Sequence, residues 1–315
     1  MRTALVTGGT GFLGSHLCEH LLNKEFFVIC IDNNSTSNQH NVQHLMQNPR
    51  FKLIQQDITL PIKTQENAEI AFHLASPASP IDQKRMQVQT LLANATGTKN
   101  VLEYCRQHNT KFLFASTCEI YGDPLVCPQN EEYYGNVNPV GERSCYDEAK
   151  RFGEALTMAY NRAHGINTKI ARIFHAYGAG MRTDDSRVVP SFITKALKNQ
   201  TLTINGDGNQ QRSLCYATDI INGITLLMEA NETMPVNIGN PEMISIKELA
   251  NKIIHLSQSK STIEYKQLPI NDPKAKCPDI TKAKKILGWE PKTSIDKGLK
   301  QTIEYFKQLI TRENE

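Results

Sequence analysis

The sequence predicts an α/β protein in which a doubly wound parallel sheet is followed by a smaller C-terminal α/β lobe. Three observations lead to this fold class. Short apolar, β-branched runs alternate with longer helical segments through the first half of the 315-residue chain, as parallel strands joined by helices require. Runs such as FFVICI and KFLFAS are apolar throughout, which indicates strands buried on both faces of a sheet. After about residue 175 glycine and proline become frequent and the alternation ends.

Six strands and three helices can be placed in the first half. The predicted strands cover residues 3–7, 26–31, 51–56, 70–74, 111–116 and 168–174, and the predicted helices cover about 12–24, 84–108 and 145–164. We expect residues 1–174, with return segments at about 213–240, to form the main domain. Residues 175–212 and 241–315 are expected to form the smaller lobe, which would bind the substrate.

Composition narrows the class of protein and its partners. Thirty-five Lys and Arg against 32 Asp and Glu leave a net charge of +3, which is too small a surplus for a nucleic-acid-binding surface. No run reaches the roughly 18 to 20 apolar residues of a membrane span, and the first residues lack a signal-peptide core. Eight cysteines occur without zinc spacing. We therefore expect a cytoplasmic protein with reduced thiols, a small-molecule substrate and no metal, nucleic-acid or membrane partner.

A glycine-rich turn follows the first predicted strand directly. Gly8, Gly11 and Gly14 fit a GxxGxxG spacing just before a predicted helix. Glycines there permit a tight turn and a close approach of backbone N–H groups to a pyrophosphate at the positive end of the helix dipole. Asp32 ends the second strand, where a carboxylate accepts the adenine-ribose hydroxyls and repels a 2′-phosphate. The pattern predicts NAD rather than NADP, with Asp57 placed to reach the adenine edge.

Tyr146 and Lys150 lie four residues apart at the predicted start of a helix, so their side chains share one face. A lysine ammonium close to a phenol favours the phenolate and is expected to lower the pKa of Tyr146 towards neutrality. Tyr146 is then a candidate general base for a sugar hydroxyl. Ser144, followed three residues later by Asp147, indicates a cap at the same helix start. A YxxxK pair alone also occurs on ordinary helix surfaces, so its meaning depends on context.

The glycine turn, the strand ending in Ala115-Ser116-Thr117 and the YxxxK helix together resemble the extended short-chain dehydrogenase/reductase family. The resemblance covers essentially the whole chain and implies a Rossmann-type NAD-binding domain. It implies that Thr117 hydrogen-bonds the reacting hydroxyl, that Lys150 also holds the nicotinamide ribose, and that Asn94 holds a helix kink near the cofactor. The other implied cofactor-site residues are Phe12, Leu13 and Ala75.

The same resemblance implies a homodimer whose seam is formed by the helices around 84–108 and 146–164. Their apolar residues would equally suit packing on the sheet: Leu91, Leu92, Val101, Leu102, Ala155, Leu156, Met158 and Ala159.

Longer strings resemble the members of this family that decarboxylate UDP-uronates. They are HLASPASP (73–80), EIYGDP (119–124), GNVNP (135–139), SCYDE (144–148), DDSRVV (184–189), LGWEP (287–291), and Asp272-Pro273 with Pro278-Asp279. Related 4,6-dehydratases carry Asp-Glu after the threonine, where this chain has Cys118-Glu119. A thiol with a pKa near 8.5 is a poor replacement for the aspartic acid that protonates the departing hydroxyl. A 4-epimerase typically has no glutamate at this position.

The resemblance therefore implies NAD-dependent decarboxylation of UDP-glucuronate to UDP-xylose through a 4-keto intermediate. Tyr146 would remove the carbon-4 hydroxyl proton, and Glu119, or a water that it orients, would protonate carbon 5. The alternatives are a nucleotide-sugar 4-epimerase or 4,6-dehydratase, or a decarboxylase of a 2-acetamido UDP-uronate. A non-catalytic NAD-binding sensor on the same scaffold would be expected to have a broken Tyr/Lys pair.

Five further side chains are candidates for binding the UDP-sugar. Arg212 follows the family's nucleotide loop at Gly206-Asp207-Gly208, and a guanidinium binds phosphate bidentately; the others are Cys118, His175, Arg187 and Lys276. The family usually has asparagine where this chain has His175 and Tyr-Gly-Pro-Arg where it has Tyr177-Gly178-Ala179-Gly180. Lys276 stands where an arginine normally binds the nucleotide, which exchanges a rigid fork for a point charge.

Overall fold

The computed structural model of the chain describes residues 1–64, 66–267 and 275–313. Its strands are β1 (Thr3–Thr7), β2 (Phe27–Asp32), β3 (Phe51–Gln55), β4 (Ile70–His73), β5 (Lys111–Thr117), β6 (Thr168–Ile173), β7 (Ala176–Tyr177), β8 (Leu202–Asn205), β9 (Gln211–Ser213), β10 (Cys215–Tyr216), β11 (Val236–Ile238), β12 (Met243–Ser245), β13 (Ile263–Lys266) and β14 (Ala275–Lys276).

The helices are α1 (Phe12–Asn23), α2 (Pro80–Arg85), α3 (Gln87–Leu92), α4 (Thr98–His108), α5 (Ser144–His164), α6 (Val188–Leu197), α7 (Ala217–Glu229), α8 (Ile246–Ser257), α9 (Thr281–Leu287) and α10 (Ile295–Glu313). Two 3₁₀ turns cover Gln39–Leu45 and Cys118–Tyr121, and a π turn covers Ala93–Gly97. In the described part of the chain, no helix has the length and apolar character needed to cross a bilayer.

Seven parallel strands form the central sheet, in the order β11-β6-β5-β4-β1-β2-β3. The chain runs outward from β1 through β2 to β3, and then from β4 in the opposite direction. Such a reversal leaves a crevice at the carboxyl ends of β1 and β4, where open α/β sheets bind ligands. The predicted doubly wound, Rossmann-type fold is therefore confirmed.

The sheet is buried on both faces, as the apolar strands predicted. Successive strand residues point to opposite faces, so Ala4 and Val6 pack with α1 and α7 while Leu5 packs with α4 and α5. Full burial stabilises a side chain of the size of Val or Leu by about 1.5 to 3 kcal/mol. The two helical layers therefore hold the sheet from both faces, and the carboxyl ends of its strands form the floor of the crevice.

The helix predicted over 84–108 is interrupted. It consists of α2, α3, the π turn and α4, and the kink expected at Asn94 is this π turn. The Asn94 amide is fully buried and donates to the Thr90 carbonyl at 2.9 Å and to the Ser76 hydroxyl at 2.8 Å. The extra residue of the π turn thus directs Asn94 towards Ser76 at the edge of the crevice.

The cap predicted at Ser144 is wrong. Arg143 occupies the N-cap position with near-helical dihedral angles, and Ser144 is already the first residue of α5. The backbone N–H of Ser144 bonds to Gly141, and the N–H groups of Tyr146 and Asp147 bond to Arg143. These backbone bonds satisfy the donors that a serine cap would have satisfied.

The C-terminal part of the chain builds a second apolar core around α6, α8 and α10. Three small sheets surround it: β7 with β10, β8 with β13, and β12-β9-β14. The pairing of β9 with β14 sets Arg212 opposite Lys276 and brings both towards the crevice. The Asp272-Pro273 motif lies outside the described residues.

Candidate active site

One cavity of about 580 Å³ occupies the crevice, a size typical of ligand sites. It brings together the predicted site residues Gly8, Gly11, Phe12, Leu13, Gly14, Asp32, Asp57, Ala75, Thr117, Cys118, Glu119, Tyr146, Lys150, His175, Arg187, Arg212 and Lys276. Asn94 lies behind the wall, where it holds the lining residue Ser76.

The glycine turn at the cofactor end of the cavity has no room for side chains. A Cβ on Gly8, which has a φ of +74°, would lie 2.7 Å from the Ala75 nitrogen, and one on Gly14 would lie 2.0 Å from the Gly8 oxygen. Among the described residues, no side chain caps the start of α1 at Gly11, so the first N–H groups of α1 are left for a ligand.

Asp32 stands at the rim of this cradle. Its carboxylate accepts hydrogen bonds from the backbone N–H groups of Thr10 (3.1 Å) and Asn34 (2.9 Å) and from the Ser37 hydroxyl (3.0 Å). Two carboxylate oxygens offer about four acceptor sites, so capacity remains for a ribose hydroxyl. Within the described residues the buried Asn94 Oδ1 also lacks a donor. These features fit a dinucleotide with a free 2′-hydroxyl.

Tyr146, Lys150 and Thr117 meet where β5 ends and α5 begins. The Lys150 ammonium donates to the Ala115 carbonyl at 2.8 Å and lies 5.8 Å from the centre of the Tyr146 ring. Thr117 hydrogen-bonds with Tyr146. All three side chains are buried at the cavity surface, so proton transfer there would be shielded from bulk water.

The predicted lowering of the Tyr146 pKa is wrong for this structure. Burial raises the pKa of Tyr146 well above its usual value, although the Thr117 hydrogen bond opposes the rise. Burial also lowers the pKa of Lys150 to about 7, against the attraction of Glu154. The ammonium is itself poorly solvated and bonds to Ala115 rather than to the phenol, so it supplies little stabilisation to a phenolate.

Glu119 lies between two cations. Its Oε2 forms ion pairs with Arg143 and Lys276, and its Oε1 faces the Cys118 sulfur at 3.9 Å. Burial opposes the charge, but Lys276, Arg143 and His175 outweigh it and lower the pKa of Glu119 to about 2. Glu119 is therefore a carboxylate at any working pH. Of the two predicted roles, direct proton donation is disfavoured and the orientation of a water remains.

Cys118 and His175 are neutral neighbours of Glu119. Burial, reinforced by Glu119, raises the pKa of Cys118 to about 12, so the thiol stays protonated. Burial lowers the pKa of His175 to about 4, against the attraction of Glu119. His175 Nδ1 lies 3.2 Å from the Ser213 carbonyl. In the neutral ring Nδ1 must carry the proton to donate there, which leaves Nε2 as an acceptor.

Ligand atoms of Cys118, Glu119 and His175 lie within 4.8 Å of one another. These residue types can hold a transition metal. Here, however, Lys276 and Arg143 already balance Glu119, and a further cation beside them would be repelled. The absence of a metal stays a prediction.

Three of the predicted cations line the cavity. Arg187 is held by an ion pair with Asp185 at 2.6 Å, and Asp185 accepts a hydrogen bond from Ser79 at 2.8 Å. Arg212 and Lys276 lie opposite each other on β9 and β14. Arginine and lysine side chains at a cavity wall suit a phosphate-bearing ligand.

Arg143 is one of the lining residues that the sequence did not single out. Arg143 pairs with Glu119 and lies 3.8 Å from Asp147. Burial, with a contribution from Glu119, raises the pKa of Asp147 to about 7. The i,i+4 spacing of Arg143 and Asp147 was a usable signal, but Asp147 had been assigned to a helix cap.

A dinucleotide cradle, a buried Tyr-Lys-Thr group and cations that line the same cavity fit an NAD-dependent enzyme of the nucleotide-sugar type. Residues 4–239 match the sequence model of the NAD dependent epimerase/dehydratase family, and the chain belongs to that family. The predicted family and the predicted cofactor, NAD, are thereby confirmed.

Relatives and solved structures align over almost the whole chain. UDP-glucuronic acid decarboxylase 1 of Arabidopsis thaliana is 44% identical over 99% of this chain and 71% of its own length. UDP-glucuronic acid decarboxylase 6 of the same plant is 45% identical over 96% of this chain and 88% of its own. The structure of UDP-glucuronic acid 4-epimerase from Bacillus cereus, in complex with UDP-glucuronic acid and NAD, is 30% identical with a TM-score of 0.88, covering 98% of this chain and 100% of that one.

Proposed function

We propose that this protein is an NAD-dependent decarboxylase that converts UDP-glucuronate to UDP-xylose. The observation that carries the proposal is the near-full-length similarity to relatives named UDP-glucuronic acid decarboxylases, at 44% and 45% identity. The cavity is consistent with it, because a proton-transfer group, a carboxylate and several cations line it.

The glycine turn, Asp32 and Lys150 would hold the cofactor. NAD, when bound, would take a hydride from carbon 4 and return it to the same carbon after CO₂ has left, which turns the 4-keto pentose into UDP-xylose, and it would bring a positively charged ring to the site. A positive charge there would lower the pKa that burial raises at Tyr146. Tyr146 is then suited to act as a base only in the loaded enzyme.

Tyr146 takes the proton of the carbon-4 hydroxyl while Thr117 holds the same oxygen. In the resulting 4-keto uronate the carboxylate is β to the ketone, so the bond between carbon 5 and the carboxylate breaks readily. CO₂ leaves, and the electron pair passes into an enolate. Thr117 and the Tyr146 hydroxyl donate hydrogen bonds to the enolate oxygen, which carries the developing charge.

Glu119 then orients the water that protonates carbon 5. Its Oε2 is held by Arg143 and Lys276, which leaves Oε1 to accept a hydrogen bond. Cys118 stays a thiol because its pKa is about 12, so it is a poor acid for a departing hydroxyl. This chemistry favours loss of CO₂ over the loss of water that a dehydratase catalyses.

Mass spectrometry of the sugar nucleotide, after incubation of the protein with UDP-glucuronate and NAD⁺, tests the proposal. A UDP-pentose formed with loss of CO₂ supports it. An unchanged mass with altered stereochemistry would instead indicate an epimerase, and loss of water a dehydratase. If only a 2-acetamido UDP-uronate loses CO₂, the proposed reaction is right and the proposed sugar is wrong. This second substrate is included because His175 stands where the family usually has asparagine.

We further propose a cytoplasmic homodimer. Of the predicted seam residues, Val101 and Leu102 are buried against the sheet, whereas Leu91, Leu92, Ala155 and Ala159 are exposed. Together with Val88 and Phe152 they form an apolar face on α3 and α5, which suits a second copy of the chain. All eight cysteines are free thiols, as expected in a reducing compartment. The predicted lack of nucleic-acid and membrane partners stays a prediction.

A further inference from the structure

Arg182 joins two rims of the cofactor cleft. Its Nη1 donates to the carbonyl of Thr36 at 2.5 Å and lies 3.0 Å from Oδ2 of Asp82. Thr36 belongs to the loop that follows Asp32 at the end of β2, and Asp82 belongs to α2, which follows β4. All three residues line the cavity. One guanidinium therefore bridges segments that follow β2 and β4.

Arg182 lies on a segment, residues 179–184, that we call the arm, and this arm is itself anchored. The Ala179 carbonyl lies 2.8 Å from Nε2 of His16 on α1, and the Gly180 carbonyl accepts a hydrogen bond from Asn41 at 3.1 Å. Asn41 also donates to the Thr10 carbonyl of the glycine turn at 3.1 Å. The arm is thus tied to the start of α1, where the pyrophosphate cradle lies.

The buried Asp82 forms an ion pair with Arg182 on the α2 side of the cleft. Its side chain is only 5% exposed, so its pairing with Arg182 is shielded far better than a surface ion pair. By contrast, Asp184, the partner of the Arg182 Nε at 2.8 Å, is 73% exposed and lies two residues away on the same arm. The contact with Asp184 does not cross the cleft.

We infer that Arg182 is a positioning residue that retains NAD in its cleft by holding the two rims together. A reaction that oxidises a sugar and then reduces the same sugar loses its cofactor balance if the reduced form escapes between the two steps. The two rims can separate only if Arg182 loses its contact with Thr36 or its contact with Asp82. The inference rests on the cofactor of the family and not on the identity of the sugar.

The test measures NADH release without any sugar. Wild-type protein and the variants Arg182→Ala, Asp82→Asn and Asp184→Asn are loaded with NADH, chased with excess NAD⁺, and followed by the loss of bound-NADH fluorescence. Charge-assisted hydrogen bonds of this kind are strong enough that Arg182→Ala should speed release by about tenfold or more. Asp82→Asn should speed it by a smaller factor, and Asp184→Asn should match the wild type.

Wild-type release from Arg182→Ala, in a variant whose cofactor-free melting temperature is unchanged, would overturn the inference. So would equal acceleration in Arg182→Ala and Asp184→Asn. Should Arg182→Ala fail to fold, Arg182→Lys replaces it: lysine keeps the charge near Asp82 but loses the rigid fork, and it should release NADH at an intermediate rate. Since no sugar is present, failure of the decarboxylase proposal would leave this result unaffected.

Discussion

Glu119 and Asp147 carry the same functional group with opposite pKa shifts. The pKa of Glu119 is lowered to about 2, because Lys276 and Arg143 outweigh its burial. The pKa of Asp147 is raised to about 7, because burial dominates and Glu119 adds repulsion. A direct ion pair offsets the cost of burying a charge, whereas a more distant cation does not. One side chain is therefore a fixed charge and the other a group that titrates.

Loss of Lys276 should bring the protonation of Glu119 into the range of pH in which activity is measured. In Lys276→Met, Glu119 loses one of its two cations, so its pKa rises and its carboxylate protonates at a higher pH. We expect kcat for decarboxylation to fall by about tenfold or more, with the acid limb of the pH–rate profile moved upward. Lys284→Met, which removes a surface pair with Glu290, is the control. An unmoved acid limb would remove Lys276 from this role.

Tyr146→Phe tests the proposed base. The change keeps the ring that fills the cavity wall and removes only the hydroxyl, so turnover should fall by about 10²- to 10⁴-fold while NAD remains bound. Steady-state turnover and the NAD content of the purified protein provide the two readouts. Tyr134→Phe, at a side chain that is 85% exposed, should leave both unchanged. Retained turnover in Tyr146→Phe would rule out the proposed base.

Asp147 should make stability depend on pH. The folded protein holds the proton of the Asp147 carboxyl more tightly than the unfolded chain, whose aspartate pKa is about 3.9. The free energy of unfolding that this protonated side chain contributes is therefore present at low pH and is lost as the pH rises from about 4 to about 7. Urea unfolding at pH 5 and pH 8 should show that the wild type loses about 2 kcal/mol more than Asp147→Asn over this interval. Parallel pH dependences for the two proteins would contradict the raised pKa.

At the scale of elements, the strands and the ends of α1 and α5 were predicted closely, whereas the capping residue of α5 was not. β1 to β6 match the expected positions within one or two residues, because burial on both faces leaves uninterrupted apolar runs. β11 has only three residues, which is too short for any pattern to be read. The start of α5 depends on the dihedral angles of Arg143, and a capping motif in the sequence carries no information about them.

The apolar face on α3 and α5 predicts a dimer that a single charge disrupts. Phe152 is 51% exposed at its centre, and a carboxylate there would lie against apolar side chains of the second copy at a high desolvation cost. Sedimentation of the wild type should show a dimer, and Phe152→Glu should sediment as a folded monomer. Val140→Glu, at a loop residue that is 90% exposed, is the matched control. A dimeric Phe152→Glu protein would place the interface elsewhere.

At the scale of the whole molecule, the site joins residues from Gly8 to Lys276. Local motifs pointed to the glycine turn, Thr117 and the YxxxK pair, because each of them keeps a fixed spacing within one stretch of chain. The contacts that decide charge could not be predicted, since Glu119 and Lys276 are 157 residues apart. The same holds for Arg182 and Thr36, which are 146 residues apart.

The chain leaves the sheet after β6, returns to it at β11 and leaves it again, so that the C-terminal lobe is built from segments that precede and follow β11. His175 follows β6 almost directly, at the exit, while Arg212 and Lys276 belong to the lobe's own sheet. Any rocking of the lobe on these connections would carry Arg212 and Lys276 away from Thr117 and Tyr146 together. The affinity for the nucleotide and the turnover of the sugar would then change together. A variant that loosens the lobe should therefore weaken both by a similar factor.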